Sequence, residues 1–209
     1  METLQMRFTM ALFAALAASP APVLAADAAI TVYGGFRSGG GFTDAYTNEA
    51  IDLDASGAFA ASLDLAMDAS RQLRWFVSRQ GSRLAVATPG WPAASLDGRS
   101  MAVTYVHVGG TNFFAGPIGL GPYVVGGLGA TRFSPAISGF SATWRPSMHV
   151  GVGYQLPLAA NLALRFEARA YLTLVNSEGG LFCSGGCVVS IRGDSFTQVD
   201  AQIGLSMAF

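Results

Sequence analysis

A serine and a histidine two positions apart, Ser147 and His149, carry the clearest chemical potential in this sequence. Alternation along the surrounding stretch predicts a β-strand, which places both on one face together with Arg145. Glu167, on the strand predicted next, would add a carboxylate, and serine, histidine and carboxylate are the parts of a nucleophilic triad. The same residues also suit a hydrogen-bonded interior pair without catalysis, and we favour that interpretation. His107 lies in a stretch whose register stays open.

The first 25 residues have the pattern of a secretory signal peptide. Arg7 supplies positive charge, residues 10–18 form a short apolar stretch, and small residues lead up to Ala25. We predict cleavage after Ala25 or one residue later. Residues 26–209 then form a single mature domain.

Export would expose the two cysteines of the chain, Cys183 and Cys187, to an oxidising compartment. A metal site is the alternative, but two thiols without a nearby histidine or second cysteine pair supply too few ligands. We therefore predict a disulfide at the tip of a glycine-rich loop. We predict no metal site and no cofactor.

The composition points to a membrane protein that lacks spanning helices. Charged residues make up only 12% of the chain, hydrophobic residues 51%, and the mean hydropathy is +0.41. The mature sequence has no run of about 18 apolar residues, which a spanning helix requires. A closed β-barrel is the remaining way to satisfy every backbone group in lipid. The net charge of −1 without a basic run argues against nucleic acid as a partner.

Eight stretches of alternating residues predict eight β-strands. In the last, Val199, Ile203 and Phe209 share an apolar face, and Gln198 lies on the opposite, polar face. The fourth stretch is apolar on both faces. The predicted strands cover residues 30–42, 53–67, 72–85, 101–114, 120–133, 144–156, 162–175 and 196–209.

The predicted connections alternate between long and short. Long loops follow the first, third, fifth and seventh strands, and short turns follow the second, fourth and sixth. An even number of strands with this alternation is typical of transmembrane barrels with long extracellular loops and short periplasmic turns. Both ends of the chain then lie on the periplasmic side.

The polar faces decide between a membrane barrel and a soluble lipocalin-like barrel. A soluble outer surface would carry many lysines, whereas these faces carry arginines and carboxylates in near balance, which suits bidentate pairs in a packed interior. An eight-stranded barrel has an interior just wide enough for side chains to fill. We therefore predict an interior ion-pair network of Arg37, Asp54, Asp64, Arg74, Arg145, Arg165, Glu167, Arg169 and Asp200.

The chain resembles the small outer-membrane β-barrel proteins of the OmpA-like or OmpX-like kind. The signal peptide, the strand at 162–175, the stretch at 122–129 and the last strand ending on Phe209 carry the resemblance. It implies an eight-stranded antiparallel up-and-down transmembrane barrel in the outer membrane of a Gram-negative bacterium, expected as a monomer. Its expected partners are outer-membrane lipid, lipopolysaccharide and the assembly machinery, which in that family reads the terminal strand, so Phe209 is the predicted assembly signal.

The fold hosts structural proteins, adhesins and a few enzymes, so the resemblance by itself does not determine the function. Outer-membrane lipid A deacylases use serine and histidine, but in a His-x-Ser order on the lipid-facing side, whereas Ser147 precedes His149 and shares the face of Arg145. We therefore expect a non-enzymatic protein with a structural role or a surface-interaction role exerted through four outer loops. The alternatives are a lipid-modifying enzyme and a narrow, porin-like pore for small solutes. Aromatic residues near strand ends are predicted to form girdles at the lipid boundaries: Trp75, Trp144, Tyr154 and Phe209.

Overall fold

The computed structural model describes residues 27–44, 50–86, 97–136, 141–175, 191–192 and 195–209. The signal peptide, its cleavage point and both cysteines lie outside these residues, so what the sequence indicates about them remains a prediction. No helix of the length and apolarity needed to cross a bilayer occurs in the part of the chain that the structure describes.

The described residues form an all-β structure of eight long strands and three short ones. In chain order the strands are β1 (Ala28–Gly39), β2 (Gly41–Asp44), β3 (Ala50–Leu53), β4 (Ser56–Ala66), β5 (Arg71–Val86), β6 (Ser100–Phe113), β7 (Gly121–Pro135), β8 (Thr143–Ala159), β9 (Leu162–Leu174), β10 (Ile191–Arg192) and β11 (Ser195–Ala208). The long strands are β1, β4 to β9 and β11, and they correspond one to one with the eight predicted stretches. The short strands β2, β3 and β10 form a small extension that joins β5 through β3.

The eight long strands close into an antiparallel up-and-down barrel. Each pairs with its sequence neighbour, and β1 pairs with both β4 and β11, which joins the first strand to the last. Closure leaves no long strand with an unpaired edge, as a barrel in lipid requires. The predicted fold class is therefore confirmed.

Short turns and long connections alternate around the barrel, as predicted. Residues 67–70, 114–120 and 160–161 connect strands at one end, which we call the turn end. Backbone hydrogen bonds of 3.3 Å and 2.9 Å between Ala28 and Phe209 bring both terminal strands to the same end. The longer connections lie at the opposite end, the loop end, because successive strands run in opposite directions.

Apolar side chains cover the outside of the barrel. On β8 the outward residues include Met148, Val150, Val152 and Tyr154, all exposed. The alternate residues of the same strand point inward and are polar or glycine, among them Ser147, His149 and Gly151. A barrel with an apolar outside and a polar inside is the reverse of a lipocalin and suits lipid as the surrounding medium.

The barrel interior has two unlike halves. In the loop-end half, buried apolar residues form a contiguous cluster that we call the apolar plug: Phe42, Ile51, Leu53, Leu84, Val86, Met101, Val103, Phe133, Val175 and Phe196. From the middle toward the turn end, the buried residues are mostly charged or hydrogen-bonding, with a small cluster of Phe113, Tyr123 and Val125 on β6 and β7.

The structure also fixes the register of β6, which the sequence pattern left open. Odd-numbered residues such as Val103, Tyr105 and His107 are buried, while Val106 and Val108 are exposed. Both faces of this strand are apolar because its inner face contributes to the plug and its outer face to the apolar surface.

Candidate functional site

The polar interior of the barrel is the strongest candidate site, and Glu167 lies at its centre on β9. Arg74 donates to its Oε1 at 2.8 Å, and Arg169 donates to its Oε2. The hydroxyls of Tyr33 and Tyr123 also donate to Oε1, at 2.9 Å and 2.6 Å. Both oxygens of this carboxylate are therefore occupied by groups from four strands.

Asp64 on β4 forms the second carboxylate of the same cluster. Its Oδ1 accepts from Arg74 and its Oδ2 accepts from Arg165 at 2.9 Å. Arg165 uses its other nitrogens on Gln155 at 2.7 Å and on Gln72 at 3.3 Å. We call the linked residues Asp64, Arg74, Arg165, Glu167 and Arg169 the ionic core.

A separate pair, Arg37 and Asp200, lies nearer the plug. The two residues face each other across β1 and β11, and Arg37 Nη2 is 2.7 Å from Asp200 Oδ2. The same oxygen accepts from Tyr171 at 2.9 Å and from Gln202 at 2.8 Å, and Arg37 also donates to Ser78 at 2.5 Å. One carboxylate oxygen thus ties together β1, β9 and β11.

The described interior holds four buried arginines but three buried carboxylates, so it carries one excess positive charge: Arg37, Arg74, Arg165 and Arg169 against Asp64, Glu167 and Asp200. Aromatic rings offset part of this excess, because their faces attract cations. The Arg169 guanidinium lies 3.7 Å from the centre of the Phe76 ring. Arg37 lies over the rings of Tyr171 and Tyr105, at 4.6 Å and 4.9 Å.

Glycines make room for the two tyrosines that reach Glu167. Tyr123 faces Gly153 across β7 and β8, and Tyr33 faces Gly204 across β1 and β11. A Cβ atom on either glycine would come within 2.4 Å of the facing ring. The strand glycines that the sequence suggested for close pairing thus include positions where a large interior side chain lies flat against the wall.

Two residues predicted for the network lie elsewhere. Asp54 is exposed. The chain between Leu53 and Ala58 has one residue more than the facing segment of β5, where their partners are Leu84 and Gln80. An extra residue reverses which positions point inward, and the alternation through this segment was therefore misread.

Arg145 is the other exception. It shares the inner face of β8 with Ser147, but it is only half-buried, lies at the loop end and makes no ion pair with any described carboxylate. The carboxylates cluster nearer the middle and the turn end, out of its reach.

The structure arranges the serine and histidines differently from a catalytic triad. Ser147 Oγ lies 2.8 Å from Nε2 of His107, not of His149, and Nδ1 of His107 lies 2.9 Å from Nδ1 of His149. All three residues are buried inside the barrel, and in the described part of the chain neither imidazole is hydrogen-bonded to a carboxylate. Glu167 is held by arginines and tyrosines instead.

Several interior residues were not singled out from sequence. Tyr33, Tyr123 and Tyr171 supply hydroxyls to the carboxylates, and Gln198 accepts from Tyr105 at 2.9 Å. Their position on the inner face of a predicted strand was the available signal. It identifies an inward residue, but it does not identify the partner.

The remaining predicted positions bear on assembly and on metal binding. Phe209 is exposed at the turn end, and its role as an assembly signal stays a prediction. No cluster of three or more potential metal ligands occurs among the described residues.

No protein-family model matches the sequence, and no curated protein sequence matches it. Solved structures are similar in fold. The crystal structure of Neisserial surface protein A is 10% identical, with a TM-score of 0.57, and the alignment covers 88% of this chain and 97% of that one. The solid-state NMR structure of the outer membrane protein AlkL in DMPC bilayers is 14% identical, with a TM-score of 0.56 and coverage of 92% and 95%.

At such low identity the likeness concerns the fold alone. The closed barrel, its apolar outside and its charged inside define this chain as an eight-stranded barrel of the small outer-membrane type. The resemblance expected from the sequence is thereby confirmed at the level of fold.

Proposed function

We propose that this protein is a non-enzymatic, non-conducting barrel of the Gram-negative outer membrane. Its role is structural or lies in surface interactions made by the loop end. The packed interior carries this proposal: the largest side chains at the centre, Arg37, Arg74, Arg165, Tyr105, Tyr123 and Tyr171, are all less than 2% exposed. An interior filled in this way serves as a rigid support and not as a passage.

Both halves of the interior support a closed barrel. In the ionic core, the guanidinium groups of Arg74 and Arg165 each bridge groups on different strands, so that moving either side chain would break several hydrogen bonds at once. In the plug, Phe42 stacks on Phe196 at 4.9 Å between ring centres, and Phe133 meets Phe196 edge to face at 5.0 Å. An apolar constriction also opposes the passage of hydrated ions.

The surroundings of Ser147 support the absence of catalysis. An attacking serine needs a base, a group that orients the base, and space for substrate. Ser147 has His107 as a neighbour, but the second nitrogen of His107 faces His149 and not a carboxylate. All three groups lie inside the wall, away from any lipid on the outside.

The proposed orientation of the barrel in the membrane is based on the difference between its two ends. Short turns and both terminal strands share one end, and we propose that this end is periplasmic, with the loops outside the cell. The partners we propose are outer-membrane lipid and lipopolysaccharide around a monomeric barrel, and the assembly machinery at the terminal strand ending in Phe209.

Planar-bilayer recordings test the closed interior. Purified protein that shows heat-modifiable migration, the sign of a folded barrel, should give no discrete conductance. A variant carrying Phe42→Ala, Phe133→Ala and Phe196→Ala, which removes the three aromatic rings of the plug but keeps the ionic core, is the matched comparison and should leak more than the wild type. Discrete, reproducible channels in the wild type would contradict the proposal.

Lipid A mass spectrometry tests the absence of catalysis. A deletion strain should have the acylation pattern of its parent. A change in acyl chains that the wild-type gene restores and a Ser147→Ala gene does not would make the protein an enzyme.

A further inference from the structure

Three arginines on the described strands point outward in the loop-end half of the barrel wall, where the other strands carry apolar residues. Arg79 and Arg83 point outward from β5, and Arg132 points outward from β7. We call them the basic patch. On β1, β8, β9 and β11 no outward position in the described residues is charged. The patch therefore belongs to one side of the barrel, in its loop-end half.

The basic patch begins where the apolar outer surface ends. Directly paired residues form a row across five strands: Phe59, Arg79, Thr104, Arg132 and Trp144. The next outward row toward the turn end is apolar and contains Val77, Val106 and Ala130. An exposed aromatic thus closes each end of the row, as in a girdle at the lipid–water boundary.

A surface depression of about 560 Å³ is lined by two of the three arginines, Arg79 and Arg83. Small residues of the next outward row, Gly81, Ala102 and Ser134, are paired across its floor, and Arg79 and Arg83 lie to either side of Gly81. The Oγ atoms of Thr104 and Ser134 are buried and have no hydrogen-bond partner among the described residues. Cations around a floor of small residues suit a compact oxyanion.

No carboxylate of the described residues is paired with the patch. Among the described residues none of its arginines forms an ion pair, although Asp54 lines the same depression. At the turn end, by contrast, Arg71 on the same strand lies 2.5 Å from Asp68. A charge on a lipid-facing wall is tolerated near the boundary, where phosphate headgroups also lie.

We propose that the basic patch binds the phosphorylated headgroup of an outer-leaflet glycolipid, with a phosphate held between Arg79, Arg83 and Arg132. Guanidinium groups recognise phosphate through paired, charge-assisted hydrogen bonds. This inference rests on the proposed outer-membrane location. It adds a defined lipid site on one side of the wall.

Native mass spectrometry of the folded protein in neutral detergent tests the site with diphosphorylated lipid A as the probe. The wild type should retain this lipid in preference to the same lipid stripped of its phosphates. Arg79→Gln and Arg132→Gln should each weaken retention by roughly tenfold, which is the expected loss for one charge-assisted hydrogen bond. Raising the salt concentration should weaken wild-type retention as well.

Arg71→Gln is the matched control, because it removes one outward charge from the same strand at the opposite edge. Retention by this variant should stay within about twofold of the wild type, a small effect expected because Arg71 already has Asp68 as its partner. Every variant is first checked for heat-modifiable migration. If Arg79→Gln does not fold, lipid retention by Arg132→Gln, a substitution on β7, tests the site instead.

Three results would overturn the inference. One is equal retention of phosphorylated and dephosphorylated lipid A, and another is an equal loss of retention in all three variants. The third is binding of a soluble sulfated dextran that lipid A does not displace, which would make the occupant a polysaccharide. Channel activity of the wild type would contradict the proposed non-conducting function, but it would not affect the conclusion about lipid retention by the basic patch.

Discussion

The ionic core and the apolar plug fill the same barrel by different physical means. The plug is held by dispersion and by the removal of apolar surface from water, neither of which depends on direction. The ionic core is held by hydrogen bonds with fixed partners. Each of its charges is buried away from water, and burying a charge is strongly unfavourable when its partner is removed. Similar substitutions should therefore have unequal effects in the two halves.

The largest effect is expected from removing the carboxylate at the centre of the ionic core. Glu167→Ala leaves Arg74 and Arg169 buried without this partner and deprives two tyrosine hydroxyls of their acceptor. We expect a loss of about 3–5 kcal/mol in the free energy of unfolding, measured by urea titration in lipid vesicles.

Asp54→Ala provides the control for this measurement. The alternation pattern assigned both carboxylates to one network, but the structure places Asp54 on the outside. We expect its loss to change stability by no more than about 0.5 kcal/mol. Equal effects of the two substitutions would mean that Glu167 is hydrated or that Asp54 is buried.

Conservative substitutions should also reduce stability by different amounts in the ionic core and in the plug. Arg165→Lys keeps the charge but cannot reach Asp64, Gln155 and Gln72 together, and the loss of these bonds should cost about 1.5–3 kcal/mol. Met101→Leu in the plug keeps volume and apolarity and should cost less than about 1.5 kcal/mol. Urea titrations of both variants under one condition give the comparison, and a reversed order would contradict the division into two halves.

A third comparison tests whether the ionic core depends on glycine. In Gly153→Ala the new Cβ would come within 2.4 Å of the Tyr123 ring, which would have to move away from Glu167. Overpacking of this kind should cost about 1–3 kcal/mol. Gly34→Ala is the control because its Cβ meets nothing within 4 Å, and thermal unfolding of this variant should match the wild type.

The smallest effect is expected outside the barrel wall, at the turn between β4 and β5. Backbone N–H groups of Ser70 and Arg71 and the Arg71 guanidinium donate to Asp68, and these bonds lower the pKa of its carboxyl to about 2. Because the folded pKa lies below the unfolded value of about 3.9, the stabilisation is complete above about pH 5 and is lost as pH falls toward 2.

Carboxyl NMR titration of Asp68 measures this pKa directly. The difference in stability between the wild type and Asp68→Asn should shrink over the same pH interval. A midpoint near 4 would show that the turn does not hold the carboxylate.

The sequence by itself was enough to predict the barrel. A period of two in eight stretches predicted the strands and the faces that point outward, because side chains of a strand must alternate between lipid and interior. Most charged residues of the interior followed from the same rule. The rule also predicted that Val199, Ile203 and Phe209 lie on one face of the last strand, since their positions differ by even numbers.

Only the tertiary structure decided which groups meet. Asp64 and Arg165 are 101 residues apart, and their contact depends on how the strands are staggered around the closed barrel. One extra residue before Ala58 turned Asp54 outward, and the register of β6 brought His107 to Ser147. Alternation determines the side of the wall on which a residue lies, whereas its partner depends on register, stagger and closure, which are set by the packing of all eight strands together.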